Sequence, residues 1–170
     1  NIFLDGMIPE DNVRIRDKID FKQSLLPKEA SKNILTSFYD IEKDLGDFKL
    51  KAGNGEIYIN ETLGIFGENG LGKTTFAKIL AGELESNGQL SRNIRIAYKP
   101  QALNPETMGN IVMEVLRKID NDIVIKLELD HLMEKQIKNL SGGELQRVAI
   151  AMTLGQDADL YLLDEPSAFL

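Results

Sequence analysis

The stretch of sequence that decides the fold is Gly67-Glu68-Asn69-Gly70-Leu71-Gly72-Lys73-Thr74-Thr75. Its glycines allow left-handed backbone conformations and a close approach of the main chain to a bound anion. A lysine and a threonine close the pattern G-x-x-x-x-G-K-[ST], and they supply a positive charge for phosphate oxygens and a hydroxyl ligand for Mg²⁺. The stretch therefore predicts a loop that binds nucleotide phosphates and leads into a helix.

Apolar residues flank this loop on both sides. Before it, the run Leu63-Gly64-Ile65-Phe66 predicts a buried strand. After it, Phe76, Ile79 and Leu80 have the i, i+3, i+4 spacing of the apolar side of a helix, and Gly82 is a typical residue just beyond a helix end. A strand, a glycine-rich loop and a helix in this order indicate a phosphate-binding α/β domain.

Composition limits the class of protein. The chain has 170 residues, no cysteine and a formal net charge of −7, and this length suits one domain with its own core. Without cysteine, these residues cannot form an iron–sulfur cluster, a zinc–thiolate site or a thiol nucleophile. The negative charge argues against non-specific nucleic-acid binding, and no apolar run reaches the roughly 18 residues of a membrane span. We expect a cytoplasmic domain.

The residues before the loop predict a linker followed by strands. Residues 1–32 are interrupted by glycine, proline and charged residues, which is typical of a linker. Ile34 to Tyr39 predicts a strand. Residues 48–50 and 57–59 predict a second pair of strands around the Gly53-Asn54-Gly55 turn. Because the first residue is not methionine, we expect the chain to be part of a longer protein.

Between residues 94 and 139 the pattern changes from strand to helix. Apolar residues at positions 94, 96 and 98 predict a strand that stops at Pro100, just before Gln101. Residues 106–139 are predicted to be largely helical, although the alternation from Ile123 to Leu129 leaves a strand open.

A second informative stretch is Leu140-Ser141-Gly142-Gly143-Glu144. Ser141 and Glu144 have the spacing of a capping box, and apolar residues follow at helical period, so a helix is predicted to start at Ser141. Glycine is costly in a first helical turn, and two glycines there favour the close approach of a ligand to backbone N–H groups. A capped helix with a glycine-rich entrance and no ligand is the alternative.

The last informative stretch is an apolar run that ends in two carboxylates. Leu160 to Leu163 predicts a buried parallel strand, and Asp164 and Glu165 follow it. Ligands of α/β sheets bind at the carboxyl ends of the strands. Together with Lys73, the first carboxylate is therefore interpreted as a Mg²⁺ ligand and the second as the group that acts on the attacking water.

Taken together, these elements resemble the Walker A, Q-loop, signature and Walker B motifs of an ATP-binding-cassette ATPase. In this chain they are residues 67–74, Gln101, residues 141–144 and residues 164–165. The resemblance spans residues 39–170. It implies a P-loop α/β fold with a RecA-like core, an antiparallel β subdomain and a helical subdomain that carries the signature, and it implies ATP and Mg²⁺ as cofactors.

The resemblance also assigns roles to individual residues. Lys73, Gln101 and Glu165 are the expected catalytic residues, and Thr74, Gln101 and Asp164 are the expected Mg²⁺ ligands. The residues expected to contact the nucleotide, including the aromatic residue that stacks on the base in this family, are Tyr39, Gly67, Glu68, Asn69, Gly70, Leu71, Gly72, Lys73, Thr74, Thr75, Ser141, Gly142, Gly143 and Glu144.

The wording of the motifs is similar to that of class E of the family, the RNase L inhibitor or ribosome-recycling factors, and in particular to their second cassette. Class E members are twin-cassette ATPases that split ribosomes into subunits. The resemblance thus implies a second cassette in the full-length protein, a ribosomal subunit and a release or rescue factor as partners, and no membrane insertion. Residues 1–32 are then expected to be a hinge, and residues 33–170 a nucleotide-binding domain that is incomplete at its C-terminus.

The chain also departs from the class E pattern. The iron–sulfur domain, the first cassette, the D-loop aspartate and the switch histidine of the class are absent, and His131 cannot serve as the switch because it precedes the signature. In this family ATP lies between the phosphate loop of one cassette and the signature of another, so we expect the chain alone to be nearly inactive. Two alternatives stay open: the motor domain of a membrane transporter, and a nucleotide-binding regulatory module without hydrolysis.

Overall fold

A computed structural model of the chain describes residues 7–8, 13–14, 33–91 and 93–168. It divides into two compact units, Asn1–Lys32 and Asn33–Leu170. In the first unit, strands β1 (Met7–Ile8) and β2 (Val13–Arg14) pair in antiparallel fashion. The hinge role of residues 1–32 stays a prediction, and most of this segment lies outside the described residues.

In its described residues, the second unit contains two antiparallel sheets. Strand β3 (Ile34–Tyr39) lies between β6 (Gly55–Tyr58) and β7 (Gln89–Leu90). Strands β4 (Ile41–Asp44) and β5 (Lys49–Ala52) form a separate hairpin. The strand predicted from Ile34 to Tyr39 is confirmed.

The predicted pairing of residues 48–50 with 57–59 is wrong. β5 pairs with β4, and β6 pairs with β3, so residues 53–54 connect two different sheets. The reason is the turn that precedes β5, where Gly46 adopts a left-handed φ of 83° and the Leu45 N–H donates to the Phe48 carbonyl at 2.9 Å. This tight turn folds β5 back onto β4 and occupies its pairing edge.

A separate sheet of the second unit is a parallel pair of strands. Strand β8 (Ile96–Lys99) pairs with β9 (Leu160–Leu163), in the register Ile96 to Leu160 and Lys99 to Leu163. Both predicted strands are confirmed, and both end on the same side. The expected full burial of β9 is not found, because Tyr161 and Leu163 on alternate positions are exposed. A helix that packs on one face of the pair leaves these two side chains on the other face.

The strand predicted from Leu63 to Phe66 is absent. In the described part of the chain no strand pairs with this segment, and the Phe66 side chain is 94% exposed. An apolar run forms a strand only when a neighbour accepts and donates its backbone hydrogen bonds. Gly64 also weakens the strand tendency, and the Phe66 ring folds over it, so that a Cβ added at Gly64 would lie 2.5 Å from the ring.

Four α-helices complete the described unit. They are α1 (Lys73–Leu80), α2 (Val112–Leu116), α3 (Asn121–Lys126) and α4 (Gly142–Leu154), and short 3-10 turns cover Pro105–Thr107, Asp130–Leu132 and Ile137–Asn139. The largely helical character predicted for residues 106–139 is confirmed in part, because short helices and 3-10 turns alternate there with irregular segments. Among the helices that the structure describes, none has the length and apolar character needed to cross a membrane.

Two apolar cores hold the unit together. The first lies between α1 and the β4–β5 hairpin, and its buried members are Ile41, Leu50, Ile79 and Leu80. The second lies under the signature helix α4 and is built from α2, α3, α4 and the turns between them; its buried members are Val112, Leu116, Val124, Leu129, Leu132, Ile137, Val148 and Ala151. The helix that follows the phosphate loop therefore belongs to the first core, and the helix that follows the signature belongs to the second.

The helical core gives the first prediction. Leu132 is fully buried, so Leu132→Ala removes apolar contacts and leaves a cavity, and we expect a loss of about 2–5 kcal/mol in the free energy of unfolding. Ile125→Ala is the matched control, because Ile125 is 53% exposed and should cost under about 1 kcal/mol. Urea unfolding followed by circular dichroism measures both, and equal losses would contradict the described core.

Candidate nucleotide-binding site

The glycine-rich loop has the backbone geometry that phosphate binding requires. Gly70 and Gly72 have left-handed φ angles of 86° and 92°. Helix α1 begins at the next residue, Lys73. Its N-cap residue is Gly72, which has no side chain that could accept a hydrogen bond from the first turn. The N–H groups at the start of α1 are thus left without a side-chain cap, and they carry the positive end of the helix dipole.

The Lys73 ammonium is held over the loop. Its Nζ donates to the carbonyl oxygens of Gly67 and Glu68, each at 2.8 Å. These bonds fold the side chain back across the loop, so the charge lies above the turn. Phosphate oxygens are stronger acceptors than neutral carbonyls, and they can draw this donor without moving the helix.

A cleft of about 480 Å³ brings eight of the seventeen predicted site residues together. It is lined by Phe48, Asn69, Gly70, Gly72, Lys73, Thr74, Thr75, Gln101 and Glu165. Residues more than 90 positions apart in the chain thus meet at one site, because β8 and β9 end beside the loop. Gly67, Glu68 and Leu71 belong to the loop without lining the cleft.

Gln101 and Glu165 meet directly in this cleft. The Gln101 Nε2 donates to Glu165 Oε2 at 2.9 Å. Glu165 itself has a left-handed φ of 45° and precedes Pro166, which is an unfavourable backbone for a residue with a side chain. The Glu165 carbonyl also accepts a long hydrogen bond from Gln146 on α4, at 3.5 Å. The Glu165 backbone is therefore strained at the residue whose carboxylate accepts the hydrogen bond from Gln101.

Asp164 lies behind the cleft and does not line it. It is buried, and its Oδ2 accepts a hydrogen bond from the Tyr98 hydroxyl at 3.3 Å. Burial and the Asp164 carboxylate raise the pKa of Tyr98, so the hydroxyl stays protonated and remains a donor. The first Walker B carboxylate is therefore fixed by the neighbouring strand.

Two side chains that line the cleft carry oxygen atoms suited to Mg²⁺. Thr74 and Gln101 both line it, and because Gln101 uses its amide nitrogen for Glu165, its Oε1 remains as a ligand. Asp164 would act from behind through water. Within the described ranges no three His, Cys, Asp or Glu side chains form a metal-binding group.

The predicted base-stacking residue is not in this cleft. Tyr39 lines a second cleft of about 400 Å³ with Ser37, Asn54, Gly55, Glu56 and Tyr58. The aromatic residue that the structure brings to the phosphate loop is Phe48, whose ring lies so close to Gly72 that a Cβ there would be 2.7 Å from it. No signal in the sequence showed that Phe48 would line this cleft, because an aromatic residue beside a strand usually belongs to the core.

The signature residues form a complete capping box. The Glu144 carboxylate accepts from the Ser141 N–H at 2.8 Å and from the Ser141 hydroxyl at 2.9 Å, and the Glu144 N–H points back at the Ser141 oxygen at 3.4 Å. Lys135 adds an ion pair to Glu144 at 2.8 Å. Lys135 and Ser141 together lower the pKa of Glu144 to about 2. None of residues 141–144 lines the phosphate cleft.

Comparison with known proteins agrees with this geometry. The glycine-rich loop, the helix that starts at its lysine and the parallel strands that end beside it define a P-loop nucleotide-binding domain. The family model described as ABC transporter matches residues 50–168. The "ABC transporter E family member 3" of Arabidopsis thaliana is 41% identical over 74% of this chain and 78% of its own length. The chain belongs to the ATP-binding-cassette family, in its E class.

Longer relatives match over the whole chain. An uncharacterized ABC transporter ATP-binding protein of Methanocaldococcus jannaschii is 43% identical over 100% of this chain, which spans 30% of that relative. The solved structure of an RNase-L Inhibitor has a TM-score of 0.81 at 42% identity, covering 100% of this chain and 35% of its own. An archaeal ribosome recycling factor, aABCE1, in complex with the ribosomal stalk protein aP1, has a TM-score of 0.79 at 41% identity over the same shares.

The loop geometry gives the second prediction. Lys73→Ala removes a cationic phosphate ligand from the cleft, and we expect ATP affinity to fall by at least about tenfold. Lys78→Ala is the control, because Lys78 lies on the same helix and does not line the cleft. Titration with a fluorescent ATP analogue measures both. Equal affinities of the two folded variants would mean that the loop has a structural role only.

Proposed function

We propose that the chain is the second nucleotide-binding cassette of a twin-cassette ATPase that uses ATP-driven closure to split ribosomal subunits. The observation that carries the proposal is the single cleft in which Lys73, Thr74, Gln101 and Glu165 meet. The likeness of this whole chain to 35% of an archaeal ribosome recycling factor supports the biological role.

The residues of the cleft divide the chemistry between them. Lys73 and the N–H groups at the start of α1 bind the phosphates of ATP, and Thr74 and Gln101 offer oxygen ligands to Mg²⁺. Mg²⁺, when bound, neutralises charge on the phosphate oxygens. Glu165 orients the attacking water and accepts its proton, and Gln101 keeps that carboxylate facing the cleft through the 2.9 Å hydrogen bond.

The signature serves a nucleotide bound to another cassette. Residues 141–144 stand on the helical core and outside the phosphate cleft of their own chain. Their capping box orients the Ser141 hydroxyl and leaves the N–H groups of Gly142 and Gly143 at the positive end of α4. Such an arrangement suits the terminal phosphate of an ATP molecule held by a partner, and it makes closure depend on ATP.

The proposed partners follow from the same likeness. They are a second cassette in the full-length protein, a ribosomal subunit and a release or rescue factor, and the expected location is the cytoplasm. The alternative is the motor of a membrane transporter, since transporters use the same cassette. Co-sedimentation of the full-length protein separates the two, because a recycling factor follows ribosomal subunits and a transporter motor follows membranes.

The third prediction concerns the water-activating carboxylate. Glu165→Gln keeps the shape and the contact with Gln101 but removes the charge, so we expect the full-length protein to bind ATP, to hydrolyse it at least about 100-fold more slowly and to accumulate in its closed form. Glu85→Gln is the control, because Glu85 is exposed and does not line the cleft. Single-turnover hydrolysis is the measurement, and wild-type rates in Glu165→Gln would assign the base elsewhere.

The fourth prediction concerns the divided site. Ser141→Arg places bulk where the partner's phosphate must dock, so it should block ATP-dependent closure and subunit splitting while this chain's own ATP affinity stays within about twofold. Ser141→Ala is the comparison variant, since it loses the Ser141 hydroxyl and the cap, worth about 1 kcal/mol, without adding bulk. Normal splitting by the folded Ser141→Arg protein, or loss of ATP binding by the chain, would contradict the composite site.

A further inference from the structure

A buried lysine lies directly beneath the proposed site. Lys99 is the last residue of β8 and is only 1% exposed. Its Nζ donates to two main-chain oxygens, the Pro100 carbonyl and the Asp164 carbonyl, each at 3.0 Å. The side chain does not line the cleft, so it cannot touch a nucleotide there.

The buried position of the Lys99 ammonium is energetically unfavourable. Burial of the Lys99 ammonium lowers its pKa, and the Asp164 and Glu165 carboxylates only partly oppose this. A buried charge is usually more costly than an apolar residue of similar volume. No step of the proposed ATP hydrolysis uses Lys99 directly. Any effect of Lys99 on the reaction must therefore act through the two carbonyl groups to which it is hydrogen-bonded.

The two carbonyls identify those groups. The Pro100 carbonyl belongs to the peptide that joins Pro100 to Gln101, and the Asp164 carbonyl belongs to the peptide that joins Asp164 to Glu165. One ammonium therefore bridges the two peptide groups that immediately precede the hydrogen-bonded pair in the cleft. The strand ladder cannot do this, because the paired register ends at Lys99 and Leu163, and the last main-chain bond runs from the Asp164 N–H to the Lys99 carbonyl.

We propose that Lys99 is a positioning residue for ATP hydrolysis, which clamps the ends of β8 and β9 so that Gln101 reaches Glu165. The inference rests on the proposed function. Glu165 has a strained left-handed backbone, and strained residues persist only where their surroundings fix them. The clamp from Lys99 fixes the peptide on its N-terminal side, and Gln146 contacts the carbonyl on its C-terminal side.

The variant Lys99→Met tests the clamp. Methionine keeps an unbranched, buried side chain of similar length and removes the donor. In the full-length protein we expect kcat to fall about tenfold with KM for ATP within about twofold, because phosphate binding by the loop does not depend on the clamp. Lys99→Arg restores donors for both carbonyls and should recover part of the loss. Lys51→Met is the matched control, because Lys51 forms an exposed ion pair with Glu42 away from the cleft and should leave both constants unchanged.

A double-mutant cycle separates positioning from a general structural effect. If Lys99 acts through the Gln101–Glu165 contact, Lys99→Met should lower kcat by less than about twofold once Gln101→Ala has removed that contact. A full tenfold further loss in the Gln101→Ala background would overturn the proposal. Unchanged kcat in Lys99→Met alone would overturn it as well.

A second measurement does not depend on turnover. In the chain itself, the side-chain amide resonance of Gln101 reports its hydrogen bond to Glu165. We expect Lys99→Met to shift this resonance in the same direction as Glu165→Ala does, and Lys51→Met to leave it in place. An unshifted resonance would overturn the clamp even if the protein hydrolyses ATP. If Lys99→Met shifts the resonance but the wild-type full-length protein has no ATPase activity, the proposed function is contradicted while the clamp stays supported.

Discussion

The structure around the cleft depends on the parallel register of β8 and β9. This register aligns Lys99 with Leu163, and the Asp164 N–H then donates to the Lys99 carbonyl at 3.0 Å. Gln101 and Glu165 are far apart in the sequence, but each lies just beyond the end of its strand, and the two side chains form a hydrogen bond. A slip of one residue would turn the side chains of β9 to the opposite faces and separate this pair.

Two helices of this chain that are proposed to bind phosphate begin with different caps. Helix α1 starts without a side-chain cap, so its first N–H groups are available to a phosphate bound by the same chain. Helix α4 starts with a full capping box reinforced by Lys135. Because the folded-state pKa of Glu144 lies near 2, the box stabilises the fold fully above the ordinary value of 4.5 and loses this contribution as the pH falls toward 2.

Local sequence signals predicted most of the strands and helices. They did not show which strands pair with each other. The capping box at Ser141 and the strand from Ile34 to Tyr39 were predictable because neighbours in sequence decide them. The pairing of β5 with β4 was not, because alternation specifies a strand face and leaves its partner open. Lys99 was missed for a related reason: a lysine at a strand end is ordinarily solvated, and only the contact with Asp164 reveals it as buried.

The residues that the structure describes support the phosphate loop at its C-terminal end and not at its N-terminal end. The backbone geometry of the loop is therefore restricted mainly at Gly72. Before the loop, Leu63 to Phe66 has no strand partner among the described residues, so the sheet does not fix that end. After it, α1 packs on the β4–β5 hairpin, and the Phe48 ring lies against Gly72. A side chain at Gly72 would collide with this ring and would also require a strained left-handed backbone. Glycine at this position therefore lets the hairpin support the loop at the residue that precedes Lys73, which keeps the ammonium and the first turn of α1 aligned on the same cleft.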